Sequence, residues 1–270
     1  MPELPEVETT VRGLTPALIG QRIARVQLRR PDLRRPMPAD LGQRLTGATV
    51  TALGRRAKYG LIDTDRGDTM IFHLGMSGRW RIDPAEVLPH DHLLIETEAG
   101  RRLVLNDARR FGSLDLVATD AIGEWPPFVA LGPEPLGPHF TADHLRSALA
   151  GRVASIKLLL LDQRIVAGLG NIYVCEALYE SRISPRRSGG SLTRPRLQRL
   201  VAAVHTVLES AIEAGGSTLR DYAQPDGELG YFSKQFKVYG REGEPCECGG
   251  TVARYAEGGR STFWCPRCQK

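Results

Sequence analysis

Aromatic residues are scarce in this chain: phenylalanine, tryptophan and tyrosine make up 6% of its 270 residues. No run of about 18 apolar residues occurs, which argues against a membrane-spanning helix. No basic stretch leading into an apolar one opens the chain, so no secretory leader is read there and a cytoplasmic protein is expected. Cysteine is rare, and four of the five cysteines fall after residue 245. Lysine is the oddest shortage. Only five of the 36 basic residues are lysines (Lys58, Lys157, Lys234, Lys237 and Lys270), and the other 31 are arginines.

What remains is a globular composition, 41% hydrophobic, with a formal charge of +5. That length is enough for one large domain or two modest ones. The basic balance fits a polyanionic partner, and it fits a basic soluble enzyme as well. Lys58 is the only lysine in the first 156 residues. Arginine holds its proton, whereas a buried lysine can be tuned to give its proton up. Lys58 is therefore a candidate for proton transfer, against the plainer reading of a surface lysine.

The hydrophobic pattern changes character along the chain. Val7, Val11, Leu14 and Leu18 recur at helical spacing and predict a helix over residues 4–19, stopped by Gly20. IARVQLRR, TMIFHLGM, HLLIETE, RRLVLND and SLDLV alternate as strands. Short antiparallel strands at this spacing predict a β-sandwich over residues 1–130. LGPEPLGPHF, residues 131–140, reads as a linker. Four helical stretches follow: DHLRSALA, IKLLLLDQRIV, NIYVCEALYES and RPRLQRLVAAVHTVLESAIEAG. A helical domain is placed at 141–235, with a polar glycine-bearing loop from 217, and a small cysteine unit at 236–270. The fold class is α+β.

The tail carries Cys246 and Cys248 as C-x-C, then Cys265 and Cys268 as C-x-x-C. Four clustered cysteines without a secretion signal fit one structural zinc ion better than disulfides. A unit this small also needs such a staple. The first pair is one residue short of the usual zinc-ribbon knuckle, and loses a backbone N–H that would support a sulfur. Cys175, in an apolar helix, reads as a core thiol. Arg260 sits near the hairpin tip, where a phosphate contact or an idle turn arginine are both natural. NDARRFG sets Arg109, Arg110 and Phe111 in one turn, and Met76 lies between glycines in HLGMSGRW. Phe111 and Met76 are either core residues or wedges that enter a base stack. In AGLGNIY the third glycine of a dinucleotide fingerprint is missing. It reads as helix, two turns, helix, with Asn171 at a helix start where amides can bind phosphate.

Together these segments resemble the formamidopyrimidine-DNA glycosylase family, bifunctional base-excision enzymes for oxidised purines. The resemblance covers the whole chain and rests on MPELPEVE, GRRAKYG, FHLGMSGRW, NDARRFG, AGLGNIYVCEAL and the terminal cysteine hairpin. It implies an N-terminal antiparallel β-sandwich preceded by a helix, then a helix–two-turns–helix domain with a zinc-ribbon hairpin. It implies removal of Met1, leaving Pro2 as the nucleophile. A free α-amino group titrates near pH 8 against about 10.4 for lysine, so its neutral fraction at pH 7 is larger by about two orders of magnitude.

By the same resemblance Glu3 is the general acid, Glu6 lines the site, and Lys58 and Arg260 serve at phosphate and in elimination. Met76, Arg109 and Phe111 fill the space left by a flipped nucleotide. His92, Arg110, Arg152 and Asn171 contact DNA, and residues 217–237 close over the flipped base. The implied partner is double-stranded DNA bearing oxidised purines, acted on by a monomer with no small-molecule cofactor and no membrane. Two alternatives stay open: an endonuclease VIII-like enzyme for oxidised pyrimidines, whose members typically carry glycine where this chain has Leu4, and a non-catalytic zinc DNA-binding module.

Overall fold

The computed structural model describes residues 2–218 and 222–270. The chain forms two compact units: Met1–Val129 with Ala214–Ser233, and Ala130–Glu213 with Lys234–Lys270. The sequence pattern groups residues 214–233 with the helices. Their contacts run instead to the first unit, where the Ile82 N–H donates to the Pro225 carbonyl at 3.0 Å.

The first unit opens with α1, Leu4–Leu18. Its start is fixed by a reciprocal cap. The Glu3 carboxylate accepts the Glu6 amide, and Glu6 Oε2 accepts the Glu3 amide at 2.8 Å. Pro5 sits in the first turn, where a missing N–H costs nothing. Val7, Val11, Leu14 and Leu18 face the core as their spacing predicts. The predicted end at residue 19 differs by one residue, and Gly20 follows at φ 71°.

Eight strands make the sandwich: β1 Ile23–Leu28, β2 Val50–Arg56, β3 Tyr59–Thr64, β4 Asp68–His73, β5 Arg79–Ile82, β6 Asp91–Thr97, β7 Arg102–Asn106 and β8 Ser113–Ala118. They form two four-stranded antiparallel sheets, ordered β1-β6-β7-β5 and β2-β3-β4-β8. Phe72 of one sheet meets Trp80 of the other edge to face, with centroids 5.5 Å apart. Gly60 lies opposite Phe72 in the β3–β4 register, and a Cβ there would sit 2.0 Å from the Phe72 ring. The glycine gives the ring its place. Short helices α2 (Leu41–Leu45) and α3 (Pro126–Val129) complete this unit.

The second unit holds α4 Ala142–Leu149, α5 Ile156–Leu161, α6 Asn171–Glu180 and α7 Arg194–Glu213. The side chains of Thr141 and Ser155 cap α4 and α5. Between α5 and α6 the chain makes the two predicted turns. Gln163 organises them, accepting the Gly168 N–H at 2.8 Å and donating to the Leu169 carbonyl at 2.9 Å. A two-stranded antiparallel ribbon, β9 Ala253–Glu257 and β10 Arg260–Trp264, follows. Among the described residues no helix is long and apolar enough to cross a membrane.

Candidate active site and nucleic-acid-binding elements

Pro2 is buried and directly precedes the Glu3 cap. The expected loss of Met1 lies outside the described residues. Glu3 and Glu6 are 4% and 2% exposed, so two carboxylates sit out of water beside Pro2. Glu6 has a second partner: its Oε1 accepts the Ser217 N–H at 2.8 Å. Gly216 takes φ 84° there, a backbone conformation that side chains rarely adopt, and a Cβ would crowd Glu6 Oε1 at 3.1 Å. Tyr222 closes the same cluster. Its hydroxyl donates to the Glu6 carbonyl at 3.2 Å and contacts the Thr9 hydroxyl. Thus the residue 214–233 segment is tied to the first two turns of α1. Part of the expected closing loop, residues 219–221, lies outside the described residues. Thr9 and Tyr222 carry no signal in the sequence. Their link spans 213 positions and leaves no local pattern.

Lys58 sits in the tight turn between β2 and β3, after Ala57 at φ 53°, and is largely buried. It lies near His73, which pairs with Tyr59 in the β3–β4 register. Burial first, then the charges of Lys58, Arg34 and Arg35, hold the His73 imidazole down at about 4. His73 is therefore neutral near pH 7, and its Nδ1 accepts the Gly75 N–H at 3.1 Å.

The two turns bearing Met76 and Phe111 are built against each other. A Cβ on Gly75 would lie 2.3 Å from the Phe111 carbonyl carbon, so only glycine permits the approach. Fully buried Asp107 ties them further. Its Oδ1 accepts the Ser77 hydroxyl at 2.6 Å and its Oδ2 the Gly112 N–H at 2.8 Å. Ser77 Oγ in turn accepts the Arg109 N–H at 3.0 Å. The result is a rigid base with exposed tips: Met76 is 37% and Phe111 43% exposed, and the Arg109 guanidinium lies 4.9 Å over the Phe111 ring. Neither is a core residue. Asp107 and Ser77 fall inside the two quoted segments, yet their role depends on a contact 30 residues apart.

Arg110 adopts φ 54° beside Phe111 and has an exposed side chain. His92 is different from the expectation of a DNA contact. It is 3% exposed, with Nε2 2.9 Å from the Asp107 carbonyl oxygen. Its imidazole braces the Phe111 turn from below because β6 and β7 turn it inward.

In the second unit, Asn171 is the first residue of α6 and Arg260 the first of β10. They come together because Asn171 Nδ2 donates to the Ser261 carbonyl at 2.8 Å, while Asn171 Oδ1 is buried without a partner among the described residues. The amide therefore grips the hairpin that carries Arg260. Gly258 and Gly259, at φ 57° and 73°, make the tight turn before exposed Arg260. Arg152 is exposed, and its carbonyl accepts the Ser188 hydroxyl at 2.8 Å.

Cys246, Cys248, Cys265 and Cys268 bring all four sulfurs within 4.8 Å of one another. Four Zn–S bonds of about 2.3 Å in a tetrahedron place sulfurs about 3.8 Å apart. Two of the contacts here are 3.9 Å (Cys246–Cys268) and 3.5 Å (Cys248–Cys265). The thiols differ in how readily they ionise. Burial opposes ionisation of Cys246, but hydrogen bonds from Tyr179, the Cys248 amide and neighbouring thiols bring it to about 6. Burial and the same crowded thiols push Cys268 up to about 12. Four sulfurs at this spacing suit one tetrahedral cation, whose binding drives off the thiol protons, and these residues hold one zinc ion. The shortened pair keeps its support: the Cys248 amide faces the Cys246 sulfur, and the Gly250 amide faces the Cys248 sulfur. Cys175 is buried in the adjoining core, as expected.

Three family models match the chain in order. They are the formamidopyrimidine-DNA glycosylase N-terminal domain over residues 1–114, its H2TH domain over 131–223, and the zinc finger found in FPG and IleRS over 243–270. The chain is 69% identical to the formamidopyrimidine-DNA glycosylase of Novosphingobium aromaticivorans and 68% identical to that of Rhizorhabdus wittichii, over the full length of each. Among solved structures, a variant of the Lactococcus lactis protein bound to Fapy-dG-containing DNA is 34% identical with a TM-score of 0.92 over all of both chains. The Thermus thermophilus protein is 42% identical with a TM-score of 0.89, covering 99% of this chain and 98% of that one. By sequence and fold over its whole length, the chain belongs to the formamidopyrimidine-DNA glycosylase family.

Proposed function

We propose that the protein excises oxidised purines, 8-oxoguanine and formamidopyrimidines, from duplex DNA and then cleaves the strand at the abasic site. The observation that carries this reading is the trio at the start of α1: Pro2 next to two buried carboxylates, with Glu6 bonded to both Glu3 and Ser217.

The amine of Pro2, freed of Met1, attacks C1′ of the damaged nucleotide. The N-glycosyl bond breaks and the base leaves carrying a proton; Glu3 supplies a proton either to that departing base or to the sugar ring oxygen as the ring opens. The attacking amine gives up its proton, the C1′–O4′ bond breaks as O4′ takes up a proton, and the secondary amine is left as an iminium ion with no N–H to lose. That fixed positive charge draws the electrons left at C2′ when its proton is removed, and the C3′–O bond breaks. A second elimination breaks the C5′–O bond. Lys58 and Arg260 serve at the flanking phosphate and in these proton transfers. Met76, Arg109 and Phe111 occupy the gap left by the flipped nucleotide, where an exposed ring on a rigid turn has the shape of a wedge. Zinc, when bound, supplies only the fixed fold of the hairpin that presents Arg260. The protein acts as a monomer in the bacterial cytoplasm.

The test is an excision assay on duplexes carrying 8-oxoguanine, a formamidopyrimidine or an oxidised pyrimidine. A solved Lactococcus lactis relative binds an oxidised-pyrimidine DNA, so the third substrate is a real competitor. Purine lesions released fastest support the reading. Preferred release of the pyrimidine assigns the chain to the endonuclease VIII-like reading, and binding without release assigns it to the non-catalytic one.

A further inference from the structure

Helix α6 ends on an unusual residue. The Arg182 N–H donates to the Tyr179 carbonyl at 2.9 Å, and the Ile183 N–H to the Leu178 carbonyl at 3.0 Å. This pair of bonds closes a helix with the residue after the cap in the left-handed region, where glycine sits at least cost. Here Arg182 holds that position, at φ 57°. An arginine kept where glycine is easier points to a task for its side chain.

The backbone around Arg182 is docked on the cysteine unit. The Lys270 N–H donates to the Arg182 carbonyl at 3.2 Å. Gln269 Nε2 donates to the Ile183 carbonyl at 2.9 Å, and Gln269 Oε1 accepts the Cys265 N–H at 2.7 Å. From this fixed backbone the Arg182 guanidinium lies 5.0 Å from the Tyr179 ring centroid and hydrogen-bonds the Cys268 sulfur. Glu247, the carboxylate inside the first cysteine pair, is held by Lys237 at 2.8 Å. Tyr179 is buried, and its hydroxyl lies 3.4 Å from Cys246 Sγ. Tyr179 and Arg182 thus stack on each other and meet one sulfur from each cysteine pair.

Zinc held by four thiolates is a dianion. Cys246 and Cys265 are buried, so water screens that charge poorly. Hydrogen bonds from a hydroxyl and a guanidinium to thiolate sulfur spread the charge, and supporting donors of this kind raise metal affinity.

We propose that Tyr179 and Arg182 are positioning residues of the zinc site, donating to the Cys246 and Cys268 thiolates, so that the end of α6 sets how tightly the hairpin holds its metal. Helix α6 then grips the cysteine unit at both ends. Asn171 at its start holds the Ser261 carbonyl, and Tyr179 and Arg182 at its finish hold the sulfur cluster.

The test uses the full chain loaded with zinc, or with cobalt(II), which takes the same tetrahedral sulfur site and absorbs visibly. Chelator competition reads zinc affinity. The sulfur-to-cobalt charge-transfer band reads the charge on the sulfurs, because a hydrogen bond lowers the energy of a sulfur lone pair. Tyr179→Phe keeps the ring and removes only the hydroxyl. It should weaken zinc binding about ten-fold and move the band to longer wavelength. Arg182→Gly should leave the metal-free protein no less stable, since glycine relieves the helix end. It should still weaken zinc binding about three-fold and move the band the same way, the smaller loss reflecting an exposed guanidinium.

Unchanged zinc affinity and band position in folded Tyr179→Phe and Arg182→Gly overturn the proposal. Weaker zinc binding with the band unmoved overturns it too, because both residues would then act through packing alone. Tighter zinc binding in Arg182→Gly would make Arg182 an idle helix-end residue and overturn its half of the assignment. Wild-type protein that takes up neither metal contradicts the four-cysteine site and the proposal with it.

Discussion

Glu6 accepts the amide proton of Ser217 at 2.8 Å, joining residues 211 positions apart. The same carboxylate accepts the Glu3 amide at 2.8 Å. One buried side chain therefore sets both the start of α1, next to Pro2, and the beginning of the segment that returns from the second unit.

Replacing Glu6 by glutamine keeps the size but turns one acceptor into a donor, so one of the two amides loses its partner. An unsatisfied buried amide costs about 1–3 kcal/mol. For a chain of this size that lowers the melting temperature by several degrees, at about 2–4 °C per kcal/mol. Lesion excision should fall together with stability. Calorimetry on Glu6→Gln checks this, and an unchanged melting temperature would mean the two bonds do not define the site.

Phe111 and Gly75 separate presentation from packing. Phe111 is half exposed, so Phe111→Ala should leave the melting temperature nearly unchanged. Excision from duplex DNA should drop by about ten-fold or more, because unstacking a base step costs a few kcal/mol. Gly75→Ala should lose stability as well as activity, since a Cβ would strike the Phe111 backbone at a φ of 61°. Melting curves and single-turnover excision on both variants test the pair. Equal effects of the two substitutions on stability would contradict it.

How much of this could be read in advance depends on how local each cause is. The long helices α6 and α7 are legible because their apolar spacing and their glycine and proline stops lie within one segment. Strands β2, β3 and β5 do not stand out. β2 and β3 are only partly buried and carry polar residues around Lys58, and β5 is four residues long. Pro2, Glu3 and the cysteines are visible as residue types in rare positions. The inward turn of His92, the Asp107–Ser77 tie and the Thr9–Tyr222 contact are set by distant chain segments, so no window of sequence contains them.

His73 gives a pH signature. Its imidazole titrates near 4 in the fold against 6.5 unperturbed, so it is depressed. Between those values the unfolded chain takes up a proton that the folded one refuses. Stability contributed by His73 is thus fully present above about pH 6.5 and is lost as pH falls toward 4. The difference is at most about 3 kcal/mol at about 1.4 kcal/mol per unit. His73→Gln should show a smaller drop in melting temperature between pH 7 and 4.5 than the wild type. An equal or larger drop would contradict the assignment.

Gly250 both offers its amide to the Cys248 sulfur and packs against the second pair; a Cβ there would come within 3.1 Å of Cys265 Sγ. Gly250→Ala should weaken zinc binding by about ten-fold, the usual scale for a disturbed supporting shell. Competition with a chromogenic chelator measures this, and wild-type protein should release one zinc per chain. Chelator should abolish DNA binding before the first unit melts, because the hairpin depends on the metal and the sandwich has its own core. Zinc near zero in fully active protein would show that the four sulfurs stand without metal.

The central claim is that the amine of Pro2 forms the covalent bond to DNA. Borohydride reduction during turnover on a lesion-bearing duplex, followed by proteolysis and mass spectrometry, tests it directly. The account predicts a trapped protein–DNA adduct on Pro2 of chains that have lost Met1. An adduct mapped to Lys58, or full activity in chains that retain Met1, would contradict it.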